Sequence, residues 1–261
     1  MSDKSRCRDV LLLAVLASAA IAPAARAAPE EIQVYLDDMT DPGKFGLDIH
    51  TNVVATGDGA VEAPGAQSSL HRLRVTPEFA YGLTPNLEAG LYLPLATLDG
   101  SGRFAADGAK VRLKFVAPKA KDQAWFWGAN FEIGGVDRKL DPNPWNAEFK
   151  GILGRRWGRW TLATNINVDF KVAGPASAPA TLELATLLTY DLNSTLSLGV
   201  ESYNGLGEFR RLGRLAAAEH QSFVTLDKRL GRWDVALGVG GGYGANPDGL
   251  IFKAIIGVPI D

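Results

Sequence analysis

The chain of 261 residues has one cysteine, Cys7, two methionines and three histidines. With a single thiol, no disulfide can brace the fold and no cysteine-based metal site can form. There is no Gly-x-Ser-x-Gly elbow and no paired metal-ligand motif, which removes the common signatures of hydrolases and metalloenzymes. No block of like charge stands out: 27 Lys and Arg are spread against 29 Asp and Glu, for a net charge of −2. A nucleic-acid partner would need a basic face, and none is present. Beyond the first two dozen residues no apolar run approaches the ~20 residues of a membrane-spanning helix. No repeat of propeller or solenoid length appears.

What is present begins with a leader. Lys4, Arg6 and Arg8 precede an Ala/Leu-rich stretch from Val10 to Pro23, and Ala25-Arg26-Ala27 fits a small-x-small cleavage site. Residues 1–27 are therefore expected to be a secretory signal peptide that takes Cys7 with it. Those residues carry four Lys/Arg and two Asp/Glu, so the remaining chain has a net charge of −4.

The body of the chain alternates with period two. In 160–171, Trp160, Leu162, Thr164, Ile166, Val168 and Phe170 share one face, and Thr161, Ala163, Asn165, Asn167, Asp169 and Lys171 share the other. Successive side chains of a strand point to opposite faces, so one side is oily and the other polar. The same split recurs at 109–115, 125–133, 182–191 and 195–201, and more weakly at 45–55, 70–82, 87–97, 146–156, 220–229, 233–243 and 250–260. That gives about twelve strands of roughly the 9–11 residues that cross a bilayer at a tilt.

The links between them alternate in length. Leu83-Thr84-Pro85-Asn86, Trp157-Gly158-Arg159, Asp191-Leu192-Asn193-Ser194 and Leu230-Gly231-Arg232 are tight; 56–69, 98–108, 135–145, 172–180 and 205–219 are long and polar or Gly/Pro-rich. Short turns at one end and long loops at the other are the rhythm of outer-membrane barrels. Phe45, Tyr81, Trp125, Trp157, Trp160, Tyr190 and Trp233 fall beside the tight turns on the apolar faces, as an interfacial aromatic girdle requires. The expected fold is all-β: a transmembrane antiparallel up-and-down barrel of about twelve strands. It occupies 44–261 in the bacterial outer membrane, both ends of the barrel periplasmic. Pro77, Pro94 and Pro259 lie in or beside predicted strands and are expected at bulges or rims, because a closed barrel has no edge to excuse a missing N–H. Residues 28–43 are read as a periplasmic N-terminal segment. The alternating stretch Glu31 to Asp37 would sit at the periplasmic mouth or fold into the lumen.

Several stretches resemble a family of proteobacterial outer-membrane proteins. They are Glu31-Ile32-Gln33-Val34-Tyr35, Pro42 through Asn52, Thr76 through Thr84, and Trp233-Asp234 followed by Gly238-Val239-Gly240. Members of that family are described as transporters or linked to phenol-degradation (MetA-pathway) barrels. The resemblance implies a barrel and no catalytic residues.

The polar faces hold charges of both signs, and the one local concentration is Lys110, Arg112 and Lys114 on one strand face. Three cations in a row can draw an anion such as a carboxylate. Asp48, His50 and Asn52 share another polar face. These six residues are the candidates for a solute path, with no catalytic residue, cofactor or metal expected. A lone histidine without a second ligand at metal spacing does not make a site. The expected function is a narrow channel or transporter for a small polar or anionic solute, such as an aromatic acid. The alternatives are a non-conducting structural or assembly barrel with an ion-paired lumen, and an outer-membrane phospholipase. The phospholipase would need a Ser-His pair at the lipid face, where His71 is the candidate. Expected partners are outer-membrane lipid, the solute and the barrel-assembly machinery.

Overall fold

The computed structural model describes residues 31–59, 61, 66–174, 179–213, 215 and 218–260. The expected leader lies outside the described residues. Twelve strands run in chain order: β1 (Phe45–Val54), β2 (Leu73–Thr84), β3 (Leu87–Leu98), β4 (Phe104–Val116), β5 (Trp125–Val136), β6 (Trp145–Trp157), β7 (Trp160–Ala173), β8 (Thr181–Asn193), β9 (Leu196–Glu208), β10 (Glu219–Leu230), β11 (Trp233–Gly244) and β12 (Leu250–Val258). Each pairs antiparallel with its sequence neighbour, and β12 pairs with β1, so the sheet closes with no free edge. This is the up-and-down barrel that the alternation predicts.

Two-residue turns join β2 to β3, β6 to β7, β8 to β9 and β10 to β11. Gly158 and Gly231 open two of them at φ +56° and +65°. Glycine reaches that left-handed region without steric cost, which is what a tight hairpin of this twist needs. The connection from β4 to β5, residues 117–124, is longer and was not among the predicted tight turns. The predicted long loops are shorter than expected. Phe104–Gly108, Gly135–Val136 and Gly205–Glu208 belong to strands, because the ladder continues past the point where the alternation fades.

The faces fall as the pattern requires. Outward Ile166, Val200 and Val224 are 51, 54 and 60 % exposed, while inward Asn165, Thr76 and His50 are 0, 1 and 2 % exposed. A polar interior wrapped in exposed aliphatics inverts the soluble barrel and needs lipid around it. At the tight-turn end Phe45 packs on Tyr81 and Trp160 on Tyr190, ring centroids 4.8 and 4.7 Å apart. Exposed Trp125, Trp157 and Trp233 complete that girdle. A second girdle at the loop end, Phe104, Trp145, Phe170 and Tyr243, escaped the sequence reading because no short turn marks its level. Trp145 and Trp157 bracket β6. Twelve steps of strand at ~3.3 Å, tilted by about 40°, separate them by roughly 30 Å along the barrel axis, a bilayer's apolar thickness.

Two of the three prolines singled out in the sequence share one patch of broken ladder. Between Val75 and Glu78 the pairing of β2 with β3 slips by a residue, and between Tyr92 and Ala96 that of β3 with β4 slips as well. Pro77 and Pro94 lie within those slips, where a closed sheet tolerates a residue without an N–H. Pro259 follows the last residue of β12.

Candidate functional site

Residues 31–40 carry no strand pairing and run through the lumen, with Ile32, Val34 and Tyr35 buried. Buried backbone must still be hydrogen-bonded, and here wall side chains do it. Asn165 of β7 accepts from the Tyr35 amide at 2.6 Å and donates back to the Tyr35 carbonyl at 3.0 Å. Lys253 of β12 donates to the Ile32 carbonyl at 2.9 Å, and Lys114 of β4 to the Asp38 carbonyl at 2.7 Å. The Thr40 amide donates to Glu88 of β3 at 2.6 Å. Five main-chain groups of a segment with no ladder are thus satisfied by four strands.

Tyr35 is the centre of this arrangement. Its hydroxyl lies 2.6 Å from that of Tyr92, and the Lys150 ammonium stands 4.1 Å from its ring centroid. Lys114 lies 5.0 Å and Arg112 5.8 Å from the same centroid. Three cations around one aromatic face are held by its quadrupole as well as by their acidic partners. At the tight-turn mouth, Asp37 is paired with Lys119 of the 117–124 connection and with Arg156 of β6. Burial alone would raise the Asp37 pKa; the hydrogen bonds and charges of Lys119 and Arg156 outweigh it and hold the carboxyl below its ordinary value.

The predicted site residues fall into three places. Arg112 is clasped by Glu78 and Glu88, the latter at 2.6 Å. His50 meets the other oxygen of Glu78 at 2.9 Å, and Asp48 lies opposite Glu78 in the β1–β2 register. Lys114 turns to the luminal segment instead. Lys110 lies opposite Tyr92 and runs over Gly134. Asn52 sits further along β1, opposite Arg74 and Lys253. The three-cation strip is therefore an interleaved network, not an open positive surface. A side chain on Gly90 would collide with Arg112, and one on Gly238 with Lys253, so glycines make room for the long luminal groups.

Sequence reasoning missed Tyr35, Tyr92 and Glu31 as luminal contacts. Parity would have found Tyr92, since Glu88, Gly90 and Tyr92 share a face; the run Glu31 to Asp37 lacks turn signals that would fix its position. His71 is not on the lipid face. β2 starts two residues later, and His71 sits in the preceding loop at φ +58° with its Nε2 3.1 Å from the Ala55 carbonyl. The ring of His220 is engaged by Asn204 and the Leu215 carbonyl.

No family model matches the chain, and no curated protein matches it either. Solved structures do. An outer-membrane channel from Pseudomonas putida F1 superimposes with a TM-score of 0.57 at 14 % identity, covering 87 % of this chain and all of that one. The NanC porin superimposes with a TM-score of 0.53 at 12 % identity, covering 82 % of this chain and 99 % of that one. The chain has the fold of these bacterial outer-membrane β-barrels. None of these likenesses carries the phenol-degradation label implied by the sequence resemblance.

Proposed function

We propose that this barrel conducts a small polar or anionic solute across the outer membrane through a narrow, gated lumen. The observation that carries the reading is the segment 31–40 inside a polar barrel, held by single hydrogen bonds and ion pairs rather than by a strand ladder. Such contacts can be exchanged without unfolding the wall. Lys110, Lys114, Lys150 and Lys253 line the lumen and favour an anionic group on the solute, with Asp48, His50 and Asn52 as polar contacts. The aromatic-acid class follows from the family resemblance alone.

A second reading has its own support. Arg112 is neutralised by two carboxylates, and the segment fills the bore, as a non-conducting structural barrel would require. Single-channel recording in a planar bilayer separates the two. The native chain is expected to give small, rarely open events, and a Tyr35→Ala/Asp37→Ala variant larger and longer ones. Loss of anion preference in Lys110→Ala/Lys114→Ala would support the site. Silence from native chain and variant alike, with no solute uptake into liposomes, would select the structural reading.

A further inference from the structure

The topology gives His50 the ligand spacing that the sequence lacks. Glu31 of the luminal segment, His50 of β1 and Glu78 of β2 each direct one donor atom into a common space, and these atoms lie within 4.8 Å of one another. His50 and Glu78 are on neighbouring strands, both inward, one diagonal step apart in register. Glu31 is brought to them by the buried run of Ile32, Val34 and Tyr35.

Two buried atoms in this cluster lack a hydrogen-bond partner: Oε1 of Glu31 and Nδ1 of His50, a residue only 2 % exposed. An unsatisfied carboxylate oxygen beside an imidazole is costly unless something binds there. Meanwhile the remaining donor atoms are already oriented. Tyr92 donates to Oε2 of Glu31 at 3.0 Å, and Arg112 holds Oε1 of Glu78, leaving its Oε2 toward His50. That is the outer-shell support that metal-binding carboxylates need. The charge balance agrees. Lys110, Arg112, Lys114 and Lys150 are met by Glu31, Asp48, Glu78, Glu88, Glu132 and Glu148, so acidic groups outnumber basic ones around the cluster, as a divalent cation would require.

We propose that Glu31, His50 and Glu78 form a binding site for a divalent transition-metal ion of the zinc class, which fastens the luminal segment to the β1–β2 wall. One imidazole nitrogen and two carboxylate oxygens are a donor set that zinc accepts, with a fourth position left for water. Closing the atoms onto ligand distances of about 2.0–2.2 Å asks Glu31, the ligand that is not on a strand, to move inward by roughly 1 Å. β1 and β2 are not among the four strands that hydrogen-bond the segment's main chain, so occupancy would add a tie on that side.

The test uses the full processed chain in detergent and Zn²⁺ as titrant. Calorimetric titration is expected to show one ion per chain. Both His50→Ala and Glu31→Gln should weaken binding by more than about tenfold, and Tyr92→Phe by about tenfold through the lost outer-shell bond. Glu31→Gln leaves every barrel residue intact, which guards against a misfolded His50 variant; circular dichroism checks both. His71→Ala and His220→Ala serve as controls and should bind as the native chain does. X-ray absorption of the zinc complex should report one imidazole in an N/O shell. Absence of stoichiometric binding, unchanged affinity in Glu31→Gln, or equal loss in His220→Ala would each overturn the proposal. The readout is binding itself, so the result stands whether or not the barrel conducts.

Discussion

Where β1–β6 face the lumen they carry His50, Glu78, Glu88, Arg112, Lys114, Glu132 and Lys150; where β8–β10 face it they carry Ala185, Leu187, Gly199, Tyr203, Phe223 and Thr225. The second wall keeps charge at Glu183, at Asp227 and at Glu201, which is paired with Lys253 of β12. The luminal segment meets the two walls differently. Toward the first it directs polar atoms: the Asp38 carbonyl to Lys114, the Thr40 amide to Glu88, the Tyr35 hydroxyl to Tyr92. Ile32 and Val34 make no such bonds through their side chains; they join an apolar cluster that draws Ala185, Leu187, Tyr203 and Phe223 from the second wall and Phe126 and Ile152 from the far end of the first. A directional bond is lost abruptly when its partner moves, whereas dispersion contacts slide. The charged wall therefore clamps the segment, and the gap that admits a solute to the luminal cations is expected to open along the second wall.

The largest effect should come from breaking the charged wall at its centre. Arg112→Ala would leave Glu78 and Glu88 buried without their cation. Removing one partner of a buried ion pair costs about 3–5 kcal/mol. Thr225→Ala on the other wall removes one small buried hydroxyl and should cost well under half of that. Urea unfolding in lipid vesicles measures both, and equal costs would erase the distinction between the walls.

Outside the barrel the distinction should vanish. Val111 on β4 and Val224 on β10 are both exposed and mid-strand. Arginine at either should cost about 2–4 kcal/mol at midplane depth. Leu198, two residues from its turn, should tolerate arginine at about 0–1 kcal/mol because interfacial depth is forgiving. A large difference between Val111→Arg and Val224→Arg would mean that one wall does not face lipid.

These contrasts also show what could be read before the fold was known. Period-two alternation gave the strand count and the lipid face, because burial on one side of a sheet forces that pattern whatever the partner strand is. The turn rhythm placed the tight-turn girdle at Phe45, Tyr81 and Trp160. The site was legible only in part. Asp48, His50 and Arg112 converge on Glu78, but that meeting crosses β1, β2 and β4, and pairing register is a long-range property. The position of 31–40 was left open, since a segment satisfied by side chains from four strands carries no local mark of where it goes.

The path can be located by placing thiols on the two walls. Thr225 of β10 and Thr76 of β2 are equally buried, at 3 and 1 % exposure. In a Cys7→Ser background each single-cysteine variant carries one reactive thiol. A charged methanethiosulfonate added during bilayer recording should block Thr225→Cys rapidly and Thr76→Cys slowly. The reverse order would put the opening on the β1–β2 side of the segment.

The smallest effect concerns Asp37, where the segment is tied to the mouth of the first wall. Lys119 and Arg156 keep this carboxyl below its ordinary pKa of 3.8, and the two cations are themselves 42 and 38 % exposed. Exposed pairs are worth about 0.2–1 kcal/mol, so the tie biases the segment and does not lock it. A depressed carboxyl pKa gives stability that is full above the unfolded value and is lost as pH falls through the lower folded value. Open probability should then be flat from neutral pH down to about 5 and rise only below 3.8, the ordinary aspartate value. Asp37→Asn should open somewhat more often at neutral pH and lose that acid-dependent step, the two chains converging at low pH. Glu88, which holds the Thr40 amide nearby, titrates in both chains, so the difference between native and Asp37→Asn recordings is the quantity to follow. An acid step of the same size in both would show that Asp37 does not tether the segment and that Glu88 and its neighbours on the charged wall do.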